Sequence, residues 1–275
     1  MAEVSFPQLI QRTCGIDVHL KVVAATINGE GIKKETRSFE TFTSSLNDLK
    51  EWLLSNGVTH VAMESTGVYW KPVYKVLEGS IPNVWIVNAR HIKNVPGHKT
   101  DKMDSEWICK LLLAGLLKPS YIPPKEQRQL RDLTRYRNKL IQQIASEKNR
   151  MMRILEDCNI KLSSVVSSTT GVTATALIDM LCDGKKLTLD DIKSVYHGRL
   201  SASPEELLEA CTGYVEEHHI YLLQMIRKDI GNTQVLIDDL SSRIRILLSK
   251  YDNVLELLKE IPEFSTKVLR TSWLK

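Results

Sequence analysis

The sequence predicts an α/β domain with a mixed β-sheet and flanking helices, followed by an all-α coiled-coil region. Three observations carry this. The first 120 residues alternate short Val/Ile/Thr-rich runs with helical patterns. A proline group at Pro119, Pro123 and Pro124 then breaks the pattern. Beyond it the chain reads almost entirely as helix, ending in a sustained heptad repeat.

The elements follow in order. Thr13 to Val18 and Lys21 to Ile27 are β-type runs, and Ile32 to Phe39 is a weaker third. Asn28-Gly29-Glu30-Gly31 makes the turn between the last two, so an antiparallel meander is expected. Thr43 to Ser55 places Leu46, Leu49 and Leu53 on one helical face, with Thr43 or Ser44 as its cap. Val58 to Met63 is a buried strand, Val68 to Leu77 a helix despite Pro72, and Val84 to Val87 another strand. Ser105 to Leu117 is a strongly apolar helix whose first turn begins near Asp101. Strand, strand, strand, helix, strand, helix, strand, helix is the order of a ribonuclease-H-like domain. The expected division is residues 1–120 for this domain, 121–260 for a helical and coiled-coil domain, and 261–275 for the start of a further one.

Glu126 to Ile160 has almost no helix breakers and predicts a helix of about 50 Å at 1.5 Å per residue. Ser163 to Thr170 is a polar interruption, and Ala174 to Leu181, Thr188 to Val195 and Pro204 to Ala210 are short helices. Leu223, Ile226, Ile230, Thr233, Ile237, Leu240, Ile244, Leu247, Tyr251, Val254 and Leu258 alternate spacings of three and four, the seam of a coiled coil. Its partner is either the preceding long helix folding back or the same helix of another subunit.

Composition excludes several classes. Hydrophobic content of 43% with 25% charged residues is that of a globular chain. No run approaches the ~18 apolar residues of a membrane span, and Met1 to Arg12 lacks the apolar run of a signal peptide. The 5 cysteines are scattered, without a C-x-x-C pair, which argues against a disulfide framework or a zinc site and for a reducing cytoplasm. The net charge is only +4, but Lys125 to Lys161 holds ten basic residues against five acids. The basicity is thus one feature in one place, the footprint of a polyanion.

Two strands end in carboxylates. Asp17 sits in Cys14-Gly15-Ile16-Asp17-Val18-His19, at the end of the first strand, and Glu64 closes Val61-Ala62-Met63-Glu64. A carboxylate in an apolar strand is costly to bury unless it binds something, and open α/β sheets place ligands at the C-terminal ends of their strands. Asp101 and Asp104, spaced i and i+3, share a face at the start of the last helix of the domain. Four such oxygen donors suit Mg²⁺ or Mn²⁺. A pair of those ions clamps the attacking and leaving oxygens in phosphodiester chemistry. Singly, each acid has a plainer reading: a turn acid for Asp17, a lysine partner for Glu64, an N-cap for Asp101. The joint pattern favours a nuclease-type metal site.

Gly15-Ile16-Asp17-Val18-His19, Met63-Glu64-Ser65-Thr66-Gly67 and Thr100-Asp101-Lys102-Met103-Asp104-Ser105 together resemble the motifs of the DEDD-type transposases of the insertion-sequence-110 family, which includes pilin-gene-inverting recombinases. The likeness extends through the basic helix, Thr170-Gly171-Val172-Thr173 and the coiled coil. It implies a RuvC-like nuclease fold, Asp17, Glu64, Asp101 and Asp104 as metal-binding catalytic residues, and action on insertion-sequence DNA. It also implies a structured guide RNA as partner. Family members continue into a domain carrying a serine that attacks DNA. Leu258 to Pro262 resembles its threshold, but Glu263 stands where glycine is usual, and neither Ser265 nor Ser272 has a matching context. The chain is therefore expected to lack that serine domain and to be incomplete for transposition alone.

Nucleic-acid contacts are expected from Lys99, Lys102, Arg128, Arg131, Arg135, Lys139, Arg150 and Arg153. Homo-oligomerisation is expected through helices 126–160 and 220–258. His19, next to Asp17, is read as structural before a contact with the metal site, Tyr69, Trp70 and Trp85 as packing residues before base-stacking ones, and the adjacent His218 and His219 as a poor metal pair. Two other readings compete: a RuvC-type junction nuclease acting unaided, and a non-catalytic copy that binds nucleic acid and oligomerises. A sugar kinase or other ATPase is disfavoured because no Gly-rich phosphate loop appears.

Overall fold

The computed structural model describes residues 7–65, 67–88, 104–169, 171–197 and 200–259. The chain divides into two compact units at Pro123/Pro124. Among the described residues no helix is long and apolar enough to cross a membrane.

The first unit is a five-stranded sheet covered on both faces. Its strands are β1 (Arg12–Val18), β2 (Val22–Gly29), β3 (Ile32–Glu40), β4 (His60–Glu64) and β5 (Asn83–Val87), in the spatial order β3-β2-β1-β4-β5. The meander pairs antiparallel, and β4 and β5 then join β1 in parallel. This is the ribonuclease-H-like arrangement that the element order predicts. The β2–β3 turn needs Gly31, at φ +72° in the left-handed region.

Alternation of side chains sorts the strands into two faces. Cys14, Ile16, Val61, Met63 and Ile86 point to one, where α1 (Thr43–Ser55) and α2 (Trp70–Leu77) supply Leu46, Leu49, Leu53, Val73 and Leu77. Ala62 and Val87 point to the other, against Ile108, Leu111 and Leu112 of α3 (Asp104–Leu113). Helix α3 ends four residues earlier than the apolar pattern suggests. The chain turns at Gly115, φ +69°, and Leu117 packs on the same cluster from beyond the turn. Helix α1 also departs from expectation. Phe42 holds the cap position and no side chain caps it, because Ser45 accepts the Glu40 backbone N–H instead.

The second unit is a long helical hairpin with short helices packed at one end. Helix α4 (Lys125–Asp157) and α9 (Glu217–Leu248) run antiparallel: Leu130 packs with Ile244 and Leu248, while Met151 and Leu155 share a cluster with Leu223 and Ile226. Within this chain the basic helix is thus the partner of the heptad seam. Helices α5 (Leu162–Val165), α6 (Val172–Cys182), α7 (Leu189–Val195) and α8 (Pro204–Ala210) close the hairpin's end around Leu177, Leu181, Ile192 and Leu207. Thr188 and Ser203 cap α7 and α8 through complete capping boxes. Two details differ from the sequence pattern. Leu162–Val165 is helical inside the polar interruption, and the heptad run is broken by a 3-10 turn at Ser249–Tyr251 before α10 (Asp252–Lys259). Residues 261–275 lie outside the described residues.

Candidate metal centre and nucleic-acid interface

The acids at the strand ends meet because of parallel pairing. β1 and β4 run in register from Thr13↔His60 to Ile16↔Met63, so the next step sets Asp17 beside Glu64. Both occupy the α3 face of the sheet, since Asp17 follows Gly15 by two residues and Glu64 follows Ala62 by two. Gly15 lies directly under α3: a Cβ there would stand 2.2 Å from the Ser105 carbonyl oxygen. Asp104 begins that helix over the same sheet edge.

The electrostatics show the convergence. Burial pushes the Asp17 carboxyl above its ordinary range. The Asp104 and Glu64 carboxylates push it the same way, and His19 pulls it back. His19 is exposed, with Nε2 2.8 Å from Asp17 Oδ2. It therefore contacts one acid of the cluster, Asp17. Its backbone N–H donates to the Val22 carbonyl and closes the β1–β2 turn, which fixes where the imidazole begins.

Three of the four expected acids thus gather at one sheet edge, held by three separate elements. Asp101, Lys99 and Lys102 lie outside the described residues. Several half-buried carboxylates and no thiol make a donor set that fits a hard divalent cation such as Mg²⁺ or Mn²⁺.

Among the described residues, the only set of three metal-type groups with ligand atoms all within 4.8 Å is Glu216, His218 and His219. The sheet-edge acids stand wider apart, the direction in which like charges push. The Glu216 group is a helix cap. His219 Nδ1 accepts the Glu216 backbone N–H at 3.2 Å, its Nε2 lies 3.2 Å from Asp157, and His218 pairs with Glu216 at 3.3 Å. These contacts sit at the positive end of the 32-residue α9, which opposes a cation.

On α4 the basic residues form a stripe. At about 100° per residue, Arg128, Arg131, Arg135, Lys139, Arg150 and Arg153 fall within about 100° of arc over about 37 Å of helix. The buried Leu130, Leu140, Met151 and Leu155 occupy the opposite side. Arg135, Lys139, Arg150 and Arg153 are exposed, and Arg128 and Arg131 are half-buried. Arg150 also pairs with Glu147 at 3.0 Å. Arg137 points elsewhere, donating to Ser241 of α9 at 2.7 Å.

Of the aromatic residues, Trp70 packs on the α1/α2 core and Trp85 against the α3 cluster. Tyr69 is 41% exposed. Sequence reasoning missed Gly15 as the seat of α3. It also missed the polar contacts around Ser105 and Glu106, where Ser and Thr in a strand or a first turn look ordinary.

A mixed sheet in the β3-β2-β1-β4-β5 order, with carboxylates ending its two adjacent central strands, defines a ribonuclease-H-like (RuvC-like) domain. The chain belongs to the DEDD_Tnp_IS110 family of transposases, whose match spans residues 14–160, more than half of the chain. Two solved structures are similar over part of it. "T. thermophilus RuvC in complex with Holliday junction substrate" is 12% identical, with a TM-score of 0.28 over 40% of this chain and 100% of that one. A second Thermus thermophilus RuvC structure is 16% identical, with a TM-score of 0.27 over 41% of this chain and 84% of that one. No curated protein matches the chain.

Proposed function

We propose that this transposase-family chain processes insertion-sequence DNA at a divalent-metal site held by Asp17, Glu64 and Asp104, with Asp101 as fourth ligand. The observation that carries the reading is the gathering of Asp17, Glu64 and Asp104 at one sheet edge: strand register sets Asp17 beside Glu64, and the Asp17 carboxyl, raised first by burial, is raised further by the Asp104 and Glu64 carboxylates. Bound there, Mg²⁺ or Mn²⁺ supplies Lewis-acid stabilisation of the oxygens that exchange at phosphorus. The chain's own residues do the rest. Asp17 and Glu64 offer carboxylate oxygens from adjacent strands. Asp104 approaches from above on α3. His19 holds one Asp17 oxygen and so limits how that carboxylate can turn.

The basic stripe of α4 is proposed to follow a phosphate backbone, because its charges lie on the side away from α9. Lys99 and Lys102 belong to the same proposal, as does a structured guide RNA as the second nucleic acid, the latter on family resemblance. Self-association is proposed through α9, whose Leu222, Met225, Val235, Leu236 and Ile246 are exposed although α4 already covers the seam.

Mn²⁺ calorimetry on the chain and on an Asp17→Asn, Asp104→Asn variant tests the site. Binding to the first and not to the second is expected. Equal binding by both would remove these residues from the site.

A further inference from the structure

The first turn of α3 is tied to the sheet by a ring of polar contacts that leaves and re-enters the helix at adjacent residues. Ser105 Oγ lies 2.9 Å from Thr26 Oγ1, and Thr26 Oγ1 lies 2.9 Å from Thr36 Oγ1. Thr36 Oγ1 reaches Glu106 Oε1 at 3.5 Å, and the other Glu106 oxygen pairs with Lys34 of β3. Thr26 and Thr36 are register partners on β2 and β3, and Thr26 is the register partner of Gly15 on β1. The ring therefore runs along the sheet row on which α3 rests.

Its proton order follows from valence. A carboxylate accepts only, and each hydroxyl has one proton to give. Thr36 therefore donates to Glu106, Thr26 donates to Thr36, and Ser105 donates to Thr26. Every proton points the same way round the ring. Thr26 is fully buried and Ser105 is 5% exposed, so water does not compete for the Ser105–Thr26 link, and breaking that link leaves a buried polar group unpaired; the Thr36–Glu106 end of the ring lies at the surface. Such a ring restrains both the height of the first turn above the sheet and its rotation about the helix axis. Asp104 is the residue immediately before Ser105.

We propose that this ring is a positioning device for the metal site, with Ser105 and Thr26 acting through Asp104 to hold its carboxylate over the sheet edge that carries Asp17 and Glu64. The inference rests on the metal-site reading above and adds residues that touch neither metal nor DNA. An internal control lies one turn further on. Thr13 Oγ1 sits 3.4 Å from Cys109 Sγ, between the same sheet and the same helix and equally buried, but two rows of the sheet away from Asp17.

The test is Mn²⁺ calorimetry with thermal melting on the unaltered chain and on Ser105→Ala, Thr26→Val, Thr26→Ser and Thr13→Val. Ser105→Ala and Thr26→Val are expected to weaken Mn²⁺ binding by about 10- to 100-fold, the usual effect of losing a residue that orients a ligand. Thr26→Ser restores the hydroxyl and should bind as the unaltered chain does. Thr13→Val should lower Tm as much as Thr26→Val yet keep its affinity. If Ser105→Ala does not fold, the two Thr26 variants carry the comparison. Unchanged affinity in Thr26→Val, or an equal loss in Thr13→Val, overturns the proposal and leaves the metal site standing. No Mn²⁺ uptake by the unaltered chain overturns the metal-site reading, and the positioning role falls with it.

Discussion

Gly15 and Cys109 meet backbone to backbone: a Cβ on Gly15 would lie 2.2 Å from the Cys109 nitrogen and 2.8 Å from its Cα. No side-chain adjustment relieves such a contact, so α3 must rise if residue 15 acquires a methyl group. Gly15→Ala is expected to destabilise the first unit by about 1–3 kcal/mol, the range for overpacking. It should also weaken Mn²⁺ binding, because Asp104 rides on the displaced helix. Melting and calorimetry on the same sample check both. A Gly15→Ala chain with unchanged melting would mean that α3 does not sit this close to β1.

The architecture was legible wherever apolar periodicity decides structure. Strands β1, β4 and β5 and helices α1, α4 and α9 fall within a few residues of where their patterns place them, α3 starts on its pattern and ends four residues short of it, and Asp17, Glu64 and Asp104 stood out as acids at the ends of apolar runs. Contacts made by residues of ordinary type were not legible. Thr26 and Thr36 are common strand residues, and only the register reveals that they join Ser105 to Glu106. The heptad pattern continues through Tyr251 although the helix does not, because hydrophobic spacing does not encode the 3-10 turn at Ser249–Tyr251. Phe42 displaced the expected Thr43 or Ser44 cap because the preceding chain, through Glu40 and Ser45, set where the helix starts.

The basic stripe on α4 makes a directional prediction. Glu substitutions at Arg135, Lys139 and Arg153 should weaken nucleic-acid binding and lower the slope of log affinity against log salt by about one for each phosphate no longer neutralised. Arg137→Glu is the control, since Arg137 is turned toward Ser241 on α9. It should cost hairpin stability and leave the salt slope alone. Equal slopes for all four variants would move the interface off this face.

The exposed apolar residues of α9 predict an assembly state. Val235 is 60% exposed, on the far side of the helix from the buried Thr233 and Ile237, and Leu236, 48% exposed, flanks that buried face. Lys at both positions should leave the α4–α9 hairpin folded and shift sedimentation toward the monomer. If the unaltered chain already sediments as a monomer at micromolar concentration, this face is not used for self-association.

The Asp17 carboxyl predicts opposite effects on stability and on binding. Its native-state value is raised above the unfolded one, so its contribution to folding is fully present at acid pH, below the unfolded carboxylate range. That contribution is lost as pH rises through the native value. At neutral pH the ionised Asp17 opposes folding of the metal-free chain. Asp17→Asn removes that charge, and the metal-free melting temperature at pH 7 should rise, by no more than the equivalent of about 1 kcal/mol for a partly solvent-screened group. The gain should shrink as pH falls through the carboxylate range, where wild-type Asp17 becomes neutral as well. Mn²⁺ reverses the order, because a cation stabilises the ionised form that the fold disfavours. Saturating Mn²⁺ should raise the melting temperature of the unaltered chain and leave Asp17→Asn where it was. Melting curves of both proteins with and without Mn²⁺, at pH 7 and at acid pH, separate the two effects. An Asp17→Asn chain less stable than the original in the absence of metal would show that Asp17 serves the fold rather than the site.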